Sequence, residues 1–192
     1  MFIIFGVEAL PHSSNKGPEV FEVAAIAMAP CCREMAAFES LVRPSEEALW
    51  GLRKEALEMT GLSVDDLRSA PVAADAANRL RAFINANHAT GYVAYNVRRA
   101  RRLLGDKPWE LAKPWEGSIR ERVIDILPTD EIPDIKLYEA ALFLKIPVPI
   151  KRRALSSARL CAEILGKMER GTHNISDANF LREAEYTMEE GL

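Results

Sequence analysis

The side chains of this chain that could do chemistry are few. Glu8 closes an apolar run at residues 1–8, which leaves a carboxylate at the end of a segment that alternates like a strand. Arg98, Arg99, Arg101 and Arg102 form the densest basic cluster, and Lys151, Arg152, Arg153 and Arg159 form a second. Guanidinium groups at this density suit phosphate, which they grip through paired N–H donors. At about 100° per residue, however, Val97, Ala100, Leu103 and Leu104 share one helical face while Arg98, Arg101 and Arg102 point away from it, so the first cluster also reads as an ordinary solvated face. Other chemistries lack members. Cys31 and Cys32 have no second Cys or His pair at zinc-like spacing. His173 and Asp177 lie where Ser176 and Asp177 resemble a helix N-terminus. Trp109 and Trp115, beside Pro108 and Pro114, could stack on bases, although pinning a loop to the core is the commoner use of tryptophan.

The composition bounds what these groups can serve. With 192 residues, 48% hydrophobic and 28% charged, the chain has the make-up of a soluble globular domain with a short appendage. Lys plus Arg number 25 and Asp plus Glu 28, a net charge of −3, so any hold on nucleic acid must come from a local patch. Three cysteines, two of them adjacent, make no disulfide framework and point to a reducing compartment. The apolar start stops at Gly6 and Glu8 without a basic region or cleavage site, and no apolar run approaches the roughly 20 residues that span a bilayer. A cytoplasmic location without membrane contact is therefore expected.

The elements that must hold these groups follow from periodicity. Strands are predicted at 1–8, 20–28 and 35–42, joined as a meander, and further strands at 92–95 and 122–127. Helices are predicted at 46–59, ended by Gly61, then from a Ser63–Asp66 capping box to Pro71, and at 72–87, 97–104, 134–144, 153–168 and 177–189. Strands first, then strands alternating with helices, give an α/β or α+β domain with a mixed sheet of about five strands flanked by helices.

Several strings in order, among them FESLVRP at 38–44, EMTGLSVDDLRSAP at 58–71, GYVAYN at 91–96, LYEAALFLKIPV at 137–148 and RRALSSARLCAEIL at 152–165, resemble the DnaQ-like 3′-to-5′ exonucleases, the proofreading-subunit and RNase T group of RNase H-like fold. The resemblance covers roughly residues 1–168 and leaves 169–192 as a C-terminal helical appendage. It implies phosphodiester hydrolysis by two divalent metals held by four carboxylates, with a histidine as general base. Position by position, this chain departs from it. The family's Asp-x-Glu on the first strand is Gly6 and Glu8 here. Its His-Asn-x-x-Phe-Asp begins at Tyr95 and Asn96 and ends at Ala100, and its His-x-Ala-x-x-Asp begins at Arg152 and ends at Ser157. Glu8 alone keeps the family's residue type, and one glutamate supplies too few oxygens for a metal pair.

The resemblance thus implies a catalytically inactive exonuclease homologue that binds single-stranded nucleic acid through Asn96, Arg98, Arg99, Lys151, Arg152 and Arg153, with no cofactor. Arg152 is expected either to hold phosphate or to partner Glu8, and Glu8 to be that partner, a leftover metal ligand or a solvent-facing strand end. Ser157 is expected to pack quietly on the face of Cys161, Ile164 and Met168. Two alternatives accompany this reading. One is a protein-interaction scaffold, suggested by the acidic segment 183–190; the other is a Mg²⁺- or Mn²⁺-dependent exonuclease with relocated ligands among Glu8, Glu22, Asp125 and Asp177. A homodimer is a further expectation, from the apolar stripe Ala154, Leu155, Ala158, Cys161, Ala162 and Leu165. Restoring the carboxylates and histidine at Gly6, Ala100, Arg152 and Ser157 is expected to rebuild a divalent-metal site.

Overall fold

Strict alternation decides how the first strand sits. Along β1 (Phe2–Leu10) Ile3, Phe5 and Val7 face one helical layer, whereas Ile4 faces the other, and Gly6 and Glu8 share its side by the period of two. The same alternation carries Val23, Ala25 and Ala27 of β2 (Glu19–Met28) to the first layer and Ile26 and Met28 to the second. The computed structural model describes residues 1–10, 17–29, 33–52, 57–111, 113–124 and 135–169.

These strands and β3 (Glu34–Leu41), β4 (Gly91–Ala94) and β5 (Trp115–Ser118) form one sheet in the order β3-β2-β1-β4-β5. β1 is central, antiparallel to β2 and parallel to β4, and β4 is parallel to β5. A strand buried on both faces needs apolar residues on both, which β1 supplies until Glu8. The edge strand β3 exposes Glu34 and Glu39, charges that discourage pairing with another chain.

Short helices α1 (Glu46–Trp50) and α2 (Val64–Ser69) cover the far end of β2, and α2 opens on the expected capping box between Ser63 and Asp66. The first layer is α3 (Ala73–Ala86), which buries Ala76, Ala77, Leu80 and Ile84, together with Leu103 and Leu104 of α4 (Val97–Leu104). The second is α5 (Ile119–Ile124), α6 (Leu137–Phe143) and α7 (Ala154–Glu169). The stripe on α7 is absorbed by this chain: Ala154, Ala158, Cys161 and Leu165 lie in the core beneath the sheet, and Leu155 and Ala162 pack against it. Its apolar character therefore has an intramolecular use, and burial pushes the Cys161 thiol up to about 12, which leaves no thiolate at neutral pH.

Three expectations differ. The helix predicted at 46–59 is cut short: α1 ends at Trp50, where Gly51 caps it. The strand predicted at 122–127 is not found among the described residues; β5 forms seven residues earlier, and residues 119–124 are helical. The loop assigned to Trp109 and Trp115 instead contains β5, where Trp115 packs against the rings of Phe5 and Tyr92 while Trp109 is 4% exposed. Both tryptophans thus serve the core. Residues 125–127, His173, Asp177, the helix at 177–189 and the pair Cys31 and Cys32 lie outside the described residues.

Candidate nucleic-acid interface

Because β1, β4 and β5 run parallel, their carboxyl ends meet at one edge of the sheet, the place where open α/β sheets bind ligands. Glu8 stands there on β1, directly opposite Glu22 of β2 and just before a register shift between Glu8 and Ala9. Two adjacent carboxylates on one face would repel unless each were answered. The answers come from α7.

Glu22 is fully buried and spans the start of that helix. Arg153 donates from Nε to one carboxylate oxygen at 2.7 Å, and the Ala154 N–H donates to the other at 3.0 Å. An anion is favoured at a helix N-terminus, where N–H groups lack intrahelical acceptors. The clamp sets α7 against β1 so closely that only glycine fits beneath it. A Cβ at residue 6 would lie 1.9 Å from the Ala154 carbonyl oxygen and 3.0 Å from the Ala158 nitrogen.

Glu8, half-buried, accepts a hydrogen bond from Ser157 Oγ at 3.2 Å, and Tyr138 and Ser157 hydroxyls lie 3.2 Å apart. Since Ser157 gives its proton to Glu8, Tyr138 must donate to Ser157. Ser157 is therefore a working hydrogen-bond donor rather than quiet packing. Arg152 does not pair with Glu8 as expected: its guanidinium lies 4.8 Å from the centroid of the Tyr138 ring and reaches Glu8 only as a distant charge. Its backbone N–H is held by the Met59 carbonyl at 2.9 Å, which fixes the segment leading into α7. Burial raises Glu8 above the ordinary glutamate range, against the lowering influence of Arg99 and the Ser157 hydrogen bond. The folded state consequently holds this proton more tightly than the unfolded chain, and stability falls as pH rises from the ordinary glutamate value through the folded one. Glu8→Gln is expected to remove that decline, shown by urea melts at about pH 5 and about pH 8; an unchanged difference between the two would count against it.

These residues do not fit a divalent-metal pair. Both Glu22 oxygens are engaged at the start of α7, position 6 has no room for a carboxylate, and Ala100 is 6% exposed on the apolar face of α4. Among the described residues no three His, Cys, Asp or Glu side chains converge in a metal-binding group.

Beside Glu8, toward β4 and β5, the character reverses. The Tyr95 carbonyl accepts from Ser118 Oγ and from the Arg120 N–H, each at 2.9 Å, and this ties the start of α5 to the end of β4. Asn96 caps α4 by accepting from the Arg99 N–H at 2.9 Å. The two helix starts enclose a cavity of about 510 Å³ lined by Asn96, Arg98, Arg99 and Arg102 from one side and by Ser118, Arg120 and Glu121 from the other. Of the six sequence candidates, Asn96, Arg98 and Arg99 come together here. Lys151 and Arg153 line a separate hollow with Arg159, Glu39 and Glu163, and Arg152 lies on Tyr138. Arg102, Arg120, Ser118 and Tyr138 were not among those candidates. Arg102 stood in the basic cluster, but no local signal placed Arg120 near it, because the parallel pairing of β4 with β5 makes that contact.

No family model and no curated protein matches the chain. Solved structures do. A 3′-exonuclease described in 3′-end-specific recognition of a histone mRNA stem-loop shares 13% identity over 89% of this chain and 82% of its own, with a TM-score of 0.67. Cell-death related nuclease 4 (CRN-4) shares 14% over 88% of this chain and 64% of its own, with a TM-score of 0.62. E. coli exonuclease I in complex with a dA16 oligonucleotide shares 13% over 89% of this chain, with a TM-score of 0.63, and this chain spans 41% of its length. At these identities the likeness is one of fold: the mixed five-stranded sheet with helices on both faces is the RNase H-like exonuclease fold. No helix among the described residues is long and apolar enough to cross a membrane.

Proposed function

We propose that this chain is a non-catalytic exonuclease-fold domain that binds single-stranded nucleic acid at the carboxyl edge of its sheet. One juxtaposition carries the reading. Where the exonuclease resemblance calls for a cluster of carboxylates, Glu22 is clamped by α7, residue 6 is sealed by backbone and Glu8 is half-buried against Ser157, while four arginines line the adjoining cavity. A site that has exchanged converging carboxylates for guanidinium groups suits the phosphate backbone and opposes bound cations. The binding of an oligonucleotide by exonuclease I, on the same fold, supports a single strand as the ligand.

The test is a titration of the full chain with a labelled single-stranded oligonucleotide at about 50 mM and about 200 mM salt. Neutralising about three phosphates of a single strand gives a log–log slope near −2, so affinity is expected to drop about fifteenfold between those concentrations. The double variant Arg99→Ala, Arg102→Ala is expected to flatten the slope by about 1.4. Incubated with Mg²⁺, the wild-type chain is expected to leave the strand at full length. Failure to bind at low salt would remove the nucleic-acid role, and shortening of the strand would remove the non-catalytic one.

A further inference from the structure

The arginine cavity narrows the ligand class further, in an inference that rests on the binding role above. We propose that it is a receptor for a phosphomonoester dianion, so that among single strands the chain prefers those whose terminus carries a phosphate.

The first ground is the state of the arginines. Among the described residues no hydrogen bond or ion pair engages the guanidinium of Arg98, Arg99 or Arg102, whereas Arg68, Arg81, Arg153 and Arg159 are each locked onto carboxylate or carbonyl oxygens. Arg98 and Arg102 stand at i and i+4 and Arg99 and Arg102 at i and i+3, spacings at which like charges repel. An anion between them relieves the repulsion and takes up their paired donors.

The second ground is the lining. Among the described residues Arg98, Arg99 and Arg102 face one carboxylate, Glu121, an excess of two positive charges from these four side chains around about 510 Å³, a volume within the range of small-ligand pockets. A backbone diester brings one negative charge to such a space, whereas a monoester brings nearly two at neutral pH together with three acceptor oxygens. The remaining polar groups suit acceptor oxygens as well: the Asn96 carbonyl oxygen is taken by the Arg99 N–H, which leaves its NH₂ donors.

The third ground is that, among the described residues, no aromatic side chain lines the cavity. Binding that reads bases in a single strand relies on stacking platforms, and here Trp109, Trp115 and Tyr92 are committed to the core or to ring packing within it. Recognition is left to charge and hydrogen bonding, which act on phosphate.

The experiment measures fluorescence anisotropy of the full chain with one oligonucleotide sequence in four forms, ending in a 3′-hydroxyl, a 3′-phosphate, a 5′-hydroxyl or a 5′-phosphate, with adenosine monophosphate and inorganic phosphate as competitors. A phosphate at one of the two ends is expected to tighten binding about tenfold, the scale of one added charge-assisted contact. Arg99→Lys, which keeps the charge and loses the fork, is expected to keep the salt slope and lose the preference; Arg68→Ala, on α2, is expected to change neither. Equal affinity for all four strands overturns the inference and leaves the binding role standing. Binding of adenosine monophosphate or inorganic phosphate without binding of any strand, abolished by Arg99→Ala with Arg102→Ala, supports the phosphomonoester site and overturns the strand-binding role. Binding of none of these overturns both.

Discussion

Gly6→Ala is expected to lower the melting temperature by about 10 °C or to leave no folded chain at all. The added methyl would sit 1.9 Å from the Ala154 carbonyl oxygen, 2.8 Å from its carbon and 3.0 Å from the Ala158 nitrogen. All three are backbone atoms, so no rotamer change relieves the overlap and the helix must move. Moving α7 is costly, because Ala154, Ala158, Cys161, Ile164 and Leu165 are buried beneath the sheet and its first N–H is held by Glu22. Overpacking costs about 1–3 kcal/mol where side chains can adjust and more where they cannot. At about 2–4 °C per kcal/mol for a chain of this size, a cost of about 3 kcal/mol gives the stated shift. Calorimetry or thermal circular dichroism reads it directly, and a melting point within about 2 °C of wild type would mean that α7 shifts away from β1 at little cost.

The same contact corrects the expectation that four substitutions would rebuild a metal site. Gly6→Asp combined with Ala100→Asp, Arg152→His and Ser157→Asp restores the residue types that the resemblance calls for, but the first of them meets the Ala154 backbone before it can reach a metal. The combined variant is expected to be unfolded rather than metal-binding. The space for the first carboxylate is occupied by main chain, so residue type alone cannot recover it.

What could be read in the sequence was what depends on near neighbours. The meander of β1, β2 and β3 followed from alternation, α4 from its apolar face, and α2 from a cap that spans three residues. β5 escaped because Trp115, Glu116, Gly117 and Ser118 hold a glycine and no run of β-branched residues, while the apolar string from Val123 to Leu127 mimics a strand and lies partly in a helix. Glu8 was legible as a carboxylate at the end of an apolar strand. The bond of Arg153 to Glu22 spans 131 residues and leaves no local trace, so both side chains were assigned by type, one to phosphate and the other to a relocated metal ligand. Arg120 joins Arg98 and Arg99 only through the parallel pairing of β4 with β5.

That clamp gives the second large effect. Arg153→Ala is expected to destabilise the fold by about 3–5 kcal/mol, because it leaves the Glu22 carboxylate buried with the Ala154 N–H as its remaining donor there. The pair is asymmetric: the Glu22 side chain is 1% exposed and that of Arg153 is 31% exposed. Glu22→Gln is therefore expected to cost less, about 1–2 kcal/mol, since the amide keeps an oxygen for one donor while the arginine regains water on its open side. Replacing both partners, Glu22→Leu with Arg153→Met, removes the buried charge together with its answer and is expected to recover most of the loss. Urea melts of the three variants give the ordering. If Arg153 instead served phosphate, Arg153→Ala would keep its stability and lose strand affinity as Arg99→Ala does. The clamp requires the opposite, a large loss of stability with strand affinity of the folded protein within about twofold of wild type, because an arginine whose Nε is held by a buried carboxylate has little left to offer a ligand on the other side of Glu8.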